Sequence, residues 1–347
     1  MAHGEDPDVR IVKRVRTVTT TTTTTTSTEV VESVPRRVLS GGKLAESFIV
    51  PPFSVLDAKA GYWQARKREW FALGLDSGAG RDDNLLGEGL SALTPVLTGT
   101  SIFDPVLAEC ALSWYAPRPQ KGDSPTIVVD PFAGGSVRGV VASKLGYLYI
   151  GTDVSQRQVD ANRVQARDIC TDCEWQPCWA CCCGSKLGEV LAGVVDELSL
   201  QENTRADMML SCPPYFDLEQ YGGGAADISM CASYETFSRR YADIMRAATA
   251  LLKPQHVAVT VVGNVRDATG AMHDLHGDTK RILNECGNVL YCDAVLQTSL
   301  ASAPMRARWQ MAASSKLVTT HQNVIVTCRG HALTAADARR MRIRAGD

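Results

Sequence analysis

The sequence predicts an α/β fold built on a mostly parallel sheet, and two observations support that prediction. The first is a βαβ unit. A buried strand over 126–130 is followed by a glycine-rich turn, an amphipathic helix over 137–145 and a second strand over 147–153. The second is that helical and strand patterns continue to alternate downstream. The 347 residues, 45% hydrophobic and 21% charged, suffice for one large α/β domain with appendages.

The remaining elements follow from hydrophobic period and capping signals. Before the βαβ unit, the pattern predicts a helix over 60–73 and another over 101–115, in which Asp104 is the N-cap and Pro105 the first helical residue. After it, a polar helix begins near Ser155. Further helices are expected over 190–200, 234–252 and 279–286, and further strands over 207–210, 256–263, 290–298 and 323–328.

Composition divides the chain into three parts. Residues 1–45 contain an unbroken threonine tract that has no periodicity to bury one face, so we expect a disordered tail of extended preference. That tail is either a spacer or an arm that contacts phosphates. The domain proper is expected over 46–330, with a cysteine-rich insertion over 168–186, and residues 331–347 form a basic C-terminal tail.

Charge and hydropathy exclude several classes of protein. The polar N-terminus lacks the apolar core of a secretory signal, and no run of 18 apolar residues could span a membrane. We therefore expect a cytoplasmic protein whose twelve cysteines are reduced. The formal net charge of −2 gives no global positive field, so any nucleic acid must be bound by local basic patches.

The glycine-rich turn predicts a binding site for a ribose-bearing ligand. Gly134 and Gly135 let the backbone approach a ligand closely, and Asp153 ends the next strand, where a carboxylate can hold ribose hydroxyls. The GxGxxG spacing of dinucleotide sites is absent. Asp130, at the end of the first strand, would repel a phosphate and attract an ammonium group. This electrostatic pattern favours S-adenosylmethionine over NAD.

A second motif, SCPPYF, follows the short strand over 207–210. Pro213 and Pro214 fix the backbone and remove two donors, which leaves carbonyl oxygens free to accept hydrogen bonds. Tyr215 offers a flat face on which a base could stack. Carbonyl acceptors beside an aromatic ring suit the amino group of a planar base, which in a duplex must first be flipped out.

Together, DPFAGG and SCPPY make the chain resemble the DNA methyltransferases that act on adenine N6 or cytosine N4, especially phage-type DNA methylases. Further matching segments are FSVLDAKAGYWQARKREW, SIFDPVLAE, GGSVRG, DLEQY, VVGNVRD and KLVTTHQNVIV, so the resemblance spans about 48–330. It implies a Rossmann-like S-adenosylmethionine-dependent methyltransferase fold, a doubly wound sheet whose last two strands form an antiparallel hairpin. It also implies a host that is a bacterium or a phage-infected cell, and a place in restriction-modification.

The resemblance assigns roles to individual residues. The methionine part of the cofactor would lie against Asp130, Pro131, Phe132, Ala133, Gly134 and Gly135. Asp153 would hold the ribose and Val154 would flank the adenine ring. Phe103 and Asp104 would close the pocket from the N-terminal side. The partner is DNA, with adenine N6 favoured over cytosine N4, and the protein could work as a monomer or a homodimer.

One position departs from the family pattern. The residue before the two prolines is usually Asp, Asn or Ser, whereas here it is Cys212, a poor acceptor. Ser211 could take over the role, the Pro213 carbonyl could suffice, or activity could be weakened. We expect an active enzyme with Cys212 at the catalytic position. Covalent catalysis by Cys212 is disfavoured, since the following proline pair suits amino methylation.

The cysteine cluster and the basic segments leave further alternatives open. Cys170, Cys173, Cys178 and Cys181 form two CxxC pairs that could hold a structural zinc; reduced cysteines or iron–sulfur ligation are the other interpretations. Candidate DNA contacts are 220–233, 266–278, Arg306, Arg308 and Lys316. The alternative functions are an RNA or protein methyltransferase, or a catalytically weak DNA-binding homologue.

Overall fold

The structure is a computed structural model that describes residues 12–20, 23–31, 42–76, 78–80, 103–216, 224–267, 269–298, 300 and 303–341. Within these residues, no helix combines the length and the apolar character needed to cross a bilayer.

The threonine-rich segment differs from the expected disordered tail. Strands β1 (Val12–Thr20) and β2 (Thr23–Val31) pair antiparallel, in a register that runs from Val12 opposite Val31 to Thr20 opposite Thr23. Valine and threonine are β-branched, and such residues favour an extended backbone. The two strands pair only with each other and join no larger sheet of the described chain.

The main sheet has eight strands. They are β3 (Val55–Asp57), β4 (Ile127–Asp130), β5 (Leu148–Asp153), β6 (Cys178–Cys181), β7 (Ala206–Ser211), β8 (Leu252–Val262), β11 (Asn288–Gln297) and β12 (His321–Arg329). Their spatial order is β3-β11-β12-β8-β7-β4-β5-β6. Two short strands, β9 (Val265–Arg266) and β10 (Met272–His273), form a separate antiparallel pair.

The pairing confirms the predicted fold class. Strands β6, β5, β4, β7 and β8 run parallel, while β12 lies antiparallel to both of its neighbours, β8 and β11. The expected C-terminal antiparallel pair is thus β11 with β12. Because the sheet is otherwise parallel, the carboxyl ends of β4, β5 and β7 meet at one edge, where ligands of doubly wound sheets bind.

Ten α-helices of the described chain connect or flank these strands. They are α1 (Gly42–Phe48), α2 (Gly61–Phe71), α3 (Pro105–Tyr115), α4 (Val137–Lys144), α5 (Gln156–Ile169), α6 (Leu187–Glu197), α7 (Tyr234–Ala250), α8 (Leu275–Glu285), α9 (Ala303–Ser314) and α10 (Ala335–Arg340). Asp104 caps α3 by accepting from the Val106 amide at 2.9 Å, as its sequence position predicted. The short helix α1 and the helix α9 carried no clear sequence signal.

The core divides between the two faces of the sheet, because side chains alternate along a strand. In β4, Val128 packs into the cluster on one face, while Ile127 and Val129 pack into the cluster on the other. All three are fully buried. Such strands, covered on both faces, read as continuous apolar runs, which is why sequence predicts them well.

The segment over 168–186 corrects the expectation of an insertion. It contains β6, which pairs in parallel with β5 from Ile150 opposite Cys178 to Asp153 opposite Cys181. Trp179 in this strand is buried and packs against Tyr149. The cysteine-rich segment is therefore an edge strand of the sheet and supplies part of the core.

Candidate active site

A cavity opens beyond the carboxyl ends of β4, β5 and β7. Its empty volume is about 930 Å³, counting the space that opens to solvent. The predicted site residues that line it are Phe103, Pro131, Phe132, Gly134, Gly135, Asp153, Val154, Cys212, Pro213, Pro214 and Tyr215. The glycine turn and the proline-proline-tyrosine loop, distant in sequence, therefore share one cavity.

The glycine turn has a left-handed backbone conformation at Gly134. Gly134 adopts a φ of +51°, a left-handed conformation that residues with a Cβ rarely occupy. Its amide donates to Asp153 Oδ2 at 2.9 Å, and Asn162 Nδ2 donates to its carbonyl at 2.7 Å. These bonds tie the turn after β4 to the end of β5 and to α5, so the two predicted cofactor-binding segments form one surface.

The Asp153 carboxyl has a raised pKa. Desolvation raises the pKa of this carboxyl from 3.8 to about 6, although the amides of Ser155 and Gly134 donate to it and oppose the shift. The carboxyl lies on the cavity wall next to Val154. A ribose diol that donates to both oxygens would restore the hydrogen bonds that desolvation removes.

Asp130 does not face the cavity, which corrects its predicted role as partner of an ammonium group. The side chain is fully buried. Its Oδ1 accepts from the Phe132 amide at 3.0 Å and the Ser211 hydroxyl at 2.6 Å, and its Oδ2 accepts from Arg138 Nε at 2.6 Å and the Tyr149 hydroxyl at 2.8 Å. Four donors occupy both oxygens, so this carboxylate organises the protein interior.

Three other predicted site residues also lie behind the cavity wall. Ser211 is fully buried, with its hydroxyl committed to Asp130. Ala133 is fully buried, and its amide donates to the Thr152 carbonyl at 2.8 Å. Asp104 caps α3 and forms an ion pair with Lys67 at 2.8 Å. Because Ser211 is already engaged, Cys212 remains the residue that precedes the prolines at the cavity.

Arg138 is a site residue that the sequence analysis missed. Its guanidinium lies on the cavity wall, 4.5 Å from the centroid of the Phe103 ring. Nη2 donates to the carbonyls of Phe132 and Ala133. Burial lowers the pKa of this group, but the charges of Asp130, Tyr149 and Cys212 and the hydrogen bond to Asp130 together outweigh burial and raise the pKa. An arginine near the start of the helix after a glycine turn was the available signal.

The proline-proline-tyrosine loop is positioned by contacts on both sides. The Tyr215 hydroxyl accepts from Gln322 Nε2 at 2.8 Å, and Cys212 Sγ lies 3.7 Å from the same oxygen. A Cβ at Gly263 would stand 3.4 Å from the Tyr215 ring, so glycine lets that ring lie against the backbone. Phe216 then turns the chain with a φ of +54°.

The cavity has further walls that sequence did not reveal. They are formed by Val137, Cys182, Cys183, Gly184, Ala226, Asp227, Ile228 and Ile244. Asp227 is a buried acid whose Oδ1 accepts from the amide and hydroxyl of Ser229. These residues come from separate segments of the chain, and only the tertiary structure brings them to one cavity.

The predicted metal ligands do not converge. Cys170 and Cys173 pack with the core on one face of the sheet, whereas Cys178 packs with the core on the other. Cys181 Sγ lies 3.7 Å from the Val154 carbonyl. Across the described residues, no three His, Cys, Asp or Glu side chains are grouped to hold a metal ion. The zinc prediction is therefore wrong for this structure, because the two pairs pack on different parts of the sheet.

The predicted DNA-contacting segments surround the cavity mouth only in part. Residues 217–223 lie outside the described chain, and 224–233 supply the wall at Ala226, Asp227 and Ile228. Segment 266–278 contains β10 and the start of α8. Arg306 and Arg308 are exposed on α9, and Lys316 follows that helix and lies beside the backbone at Gly270.

Several solved structures resemble the chain in part. TrmN of Thermus thermophilus shares 17% identity over 68% of this chain and 52% of its own, with a TM-score of 0.40. Magnesium protoporphyrin IX methyltransferase of Synechocystis PCC 6803, solved with bound S-adenosylmethionine, shares 9% identity over 74% of this chain and 98% of its own, with a TM-score of 0.38. A candidate DNA modification methylase, also of Thermus thermophilus, shares 17% identity over 43% of this chain and 56% of its own, with a TM-score of 0.29.

This chain spans about half the length of TrmN. No family model and no curated protein matches it. The fold follows from the strand order and from β12, which alone runs against its two sheet neighbours, as the resemblance implied. The chain has a Rossmann-like α/β fold, a mostly parallel sheet with a C-terminal antiparallel pair.

Proposed function

We propose that the protein transfers a methyl group from S-adenosylmethionine to an exocyclic amino group of a DNA base, with adenine N6 as the first candidate and cytosine N4 as the second. One observation carries the proposal: the glycine turn and the proline-proline-tyrosine loop line the same cavity. A cofactor on the first and a base on the second would place methyl donor and amino acceptor side by side.

The residues of the turn fit S-adenosylmethionine. The left-handed Gly134 leaves space where a side chain would stand: the nearest atom to a Cβ there would be Arg138 Nη2, 4.0 Å away. The Asp153 carboxyl on the same wall suits ribose hydroxyls, and Val154 follows it to flank an adenine. When bound, S-adenosylmethionine supplies an electrophilic methyl group on a sulfonium.

The residues of the proline-proline-tyrosine loop suit the amino group that would receive the methyl group. Pro213 and Pro214 contribute no N–H, so the backbone at this point can only accept hydrogen bonds, and an amino group presents two donors. Such acceptors orient the nitrogen lone pair toward the methyl carbon. The Tyr215 ring, held by Gln322 and the Gly263 backbone, would clamp the plane of the base. Transfer would form an N–C bond as the S–C bond breaks, and the nitrogen would lose one proton to solvent.

The basic helix α9, which precedes the strand that carries Gln322, supports a polyanionic substrate. Helix α9 carries Arg306 and Arg308 and no acidic residue, and Ala303 is its only buried residue. Trp309 is 79% exposed, an unusual position for the largest aromatic side chain unless it meets a partner. The Thr298 amide before this helix donates to the Thr320 carbonyl after it. Thr320 lies two residues before the Gln322 that donates to Tyr215. Basic and aromatic side chains together suit a nucleic acid strand.

The test is methyl transfer from labelled S-adenosylmethionine to unmethylated plasmid DNA, followed by digestion to nucleosides. We expect label in N6-methyladenine, and label in N4-methylcytosine would keep the proposal while changing the base. Label only in RNA or protein would refute DNA as the substrate. Cofactor binding with no transfer to any of the three would indicate a binding homologue. Asp153→Asn should lower transfer at limiting cofactor, while Asp160→Asn, a change at an exposed acid on α5, should not.

A further inference from the structure

We infer that Arg138 receives the carboxylate of the cofactor's methionyl group, so that this end of the cavity is an anion site; this inference rests on the proposed function. The expectation that Asp130 would attract the ammonium group fails because its two oxygens already accept four hydrogen bonds. Among the described residues that line the cavity, the cationic side chain is Arg138.

The guanidinium is fixed before any ligand arrives. Its Nε is bonded to Asp130, its Nη2 spans the carbonyls of Phe132 and Ala133, and the Tyr149 phenol lies beside it. The side chain is 4% exposed and packs under the Phe103 ring. Guanidinium carries five N–H donors, and the bonds to Asp130, Phe132 and Ala133 engage Nε and Nη2, so Nη1 is the nitrogen that we assign to the ligand. A buried, preorganised guanidinium is well suited to a carboxylate.

The start of α4 adds donors at the same place. Ser136, its N-cap, makes no capping hydrogen bond to the first turn, and its hydroxyl donates to Gln165 Oε1 at 3.0 Å. The first-turn amides of an α-helix lack intrahelical partners and favour a negative group. Gly135 and Val137, on either side of this N-cap, both line the cavity. Guanidinium and helix start therefore complement a carboxylate, and Asp153 on the same wall remains available for the ribose.

The experiment compares two ligands on one protein. S-adenosylhomocysteine and its decarboxylated analogue differ only in the carboxylate, and calorimetry gives the dissociation constant of each. A hydrogen bond to a charged group strengthens binding by about 10- to 100-fold, so the wild-type protein should prefer S-adenosylhomocysteine by that factor. An analogue that lacks only the amino group should lose less affinity than the decarboxylated one.

Variants then assign the preference to Arg138. Arg138→Met alone would leave the Asp130 carboxylate buried without a cation, so the double variant Asp130→Asn/Arg138→Met is used, with circular dichroism to confirm folding. It should bind both ligands with the same weak affinity. The matched control is the double variant Arg66→Met/Glu109→Gln, which removes a second buried ion pair away from the cavity and should keep the full preference.

The outcomes separate the two proposals. Equal binding of both ligands by the wild-type protein, or an undiminished preference in the double variant, would overturn the role of Arg138 and leave the proposed function standing. If neither S-adenosylmethionine nor S-adenosylhomocysteine binds the wild-type protein, both proposals fail together.

Discussion

The pKa of Asp153 predicts how cofactor binding depends on pH. Desolvation places the pKa of its carboxyl at about 6 in the unliganded protein, and ribose hydroxyls need the ionised form as acceptor. Binding should therefore be independent of pH above about 7 and weaken progressively below 6. At pH 5 only about one molecule in ten carries the carboxylate, so the affinity for S-adenosylhomocysteine should be about tenfold lower than at pH 8. Calorimetry at pH 8, 6 and 5 measures this directly.

The free energy of unfolding should also depend on the protonation of Asp153, but protonation favours the folded state and disfavours cofactor binding. The folded pKa lies above the ordinary value of 3.8, so Asp153 contributes stability that is fully present below pH 3.8 and is lost as the pH rises through about 6.

Asp153→Asn should weaken cofactor binding by about 10- to 100-fold and remove the pH dependence of binding between pH 5 and 7. If the variant keeps the wild-type slope, another group titrates and the reasoning is refuted. Asp160→Asn should behave as wild type.

Three further predictions concern packing and catalysis. Gly139→Ala should destabilise the fold by about 1–3 kcal/mol in urea unfolding, because the new methyl would lie 3.0 Å from Tyr149 Cδ1 and closer still to the Trp179 ring; Gly193→Ala, with open space around it, should not destabilise. Cys212→Asn should raise the rate of methyl transfer by about tenfold, since an oxygen acceptor replaces a weak sulfur acceptor; an unchanged rate would mean that backbone carbonyls suffice. Tyr215→Ala should lower kcat/KM about 10- to 100-fold through lost stacking, whereas Tyr215→Phe keeps the ring and should retain most activity; equal losses would point to the hydroxyl.

Local sequence predicted the elements of the domain well where the physics is local. The βαβ unit appears as predicted, because buried strands and the amphipathic α4 leave strong periodic signals. Asp104 caps its helix as expected, and the helix expected near Ser155 begins there with Ser155 as its N-cap, since capping needs only nearby amides. Helix α9 was missed because it buries a single residue and so has no amphipathic pattern to detect.

The candidate site was predicted in outline. Eleven of the predicted residues line the cavity, as expected when motifs end strands whose carboxyl ends share one edge of a sheet. Sequence could not assign the direction of each side chain. Asp130 and Ser211 end neighbouring strands, yet they turn inward to each other, because a buried arginine and a phenol complete their hydrogen bonds there.

The cysteines are a second case in which sequence could not predict where the side chains lie. Their CxxC spacing is a sequence property, but whether such thiols converge depends on strand pairing. Once β6 joins β5, Cys178 and Cys181, three residues apart in the strand, point to opposite faces of the sheet, and Cys170 and Cys173 pack with the core away from Cys178. The sequence alone determined the parallel α/β architecture, the glycine turn and the proline-proline-tyrosine loop, since each depends on short-range periodicity and backbone chemistry. Only the tertiary structure decided that Asp130 turns into the interior while Arg138 lines the cavity, because charge pairing in the interior depends on contacts between distant segments.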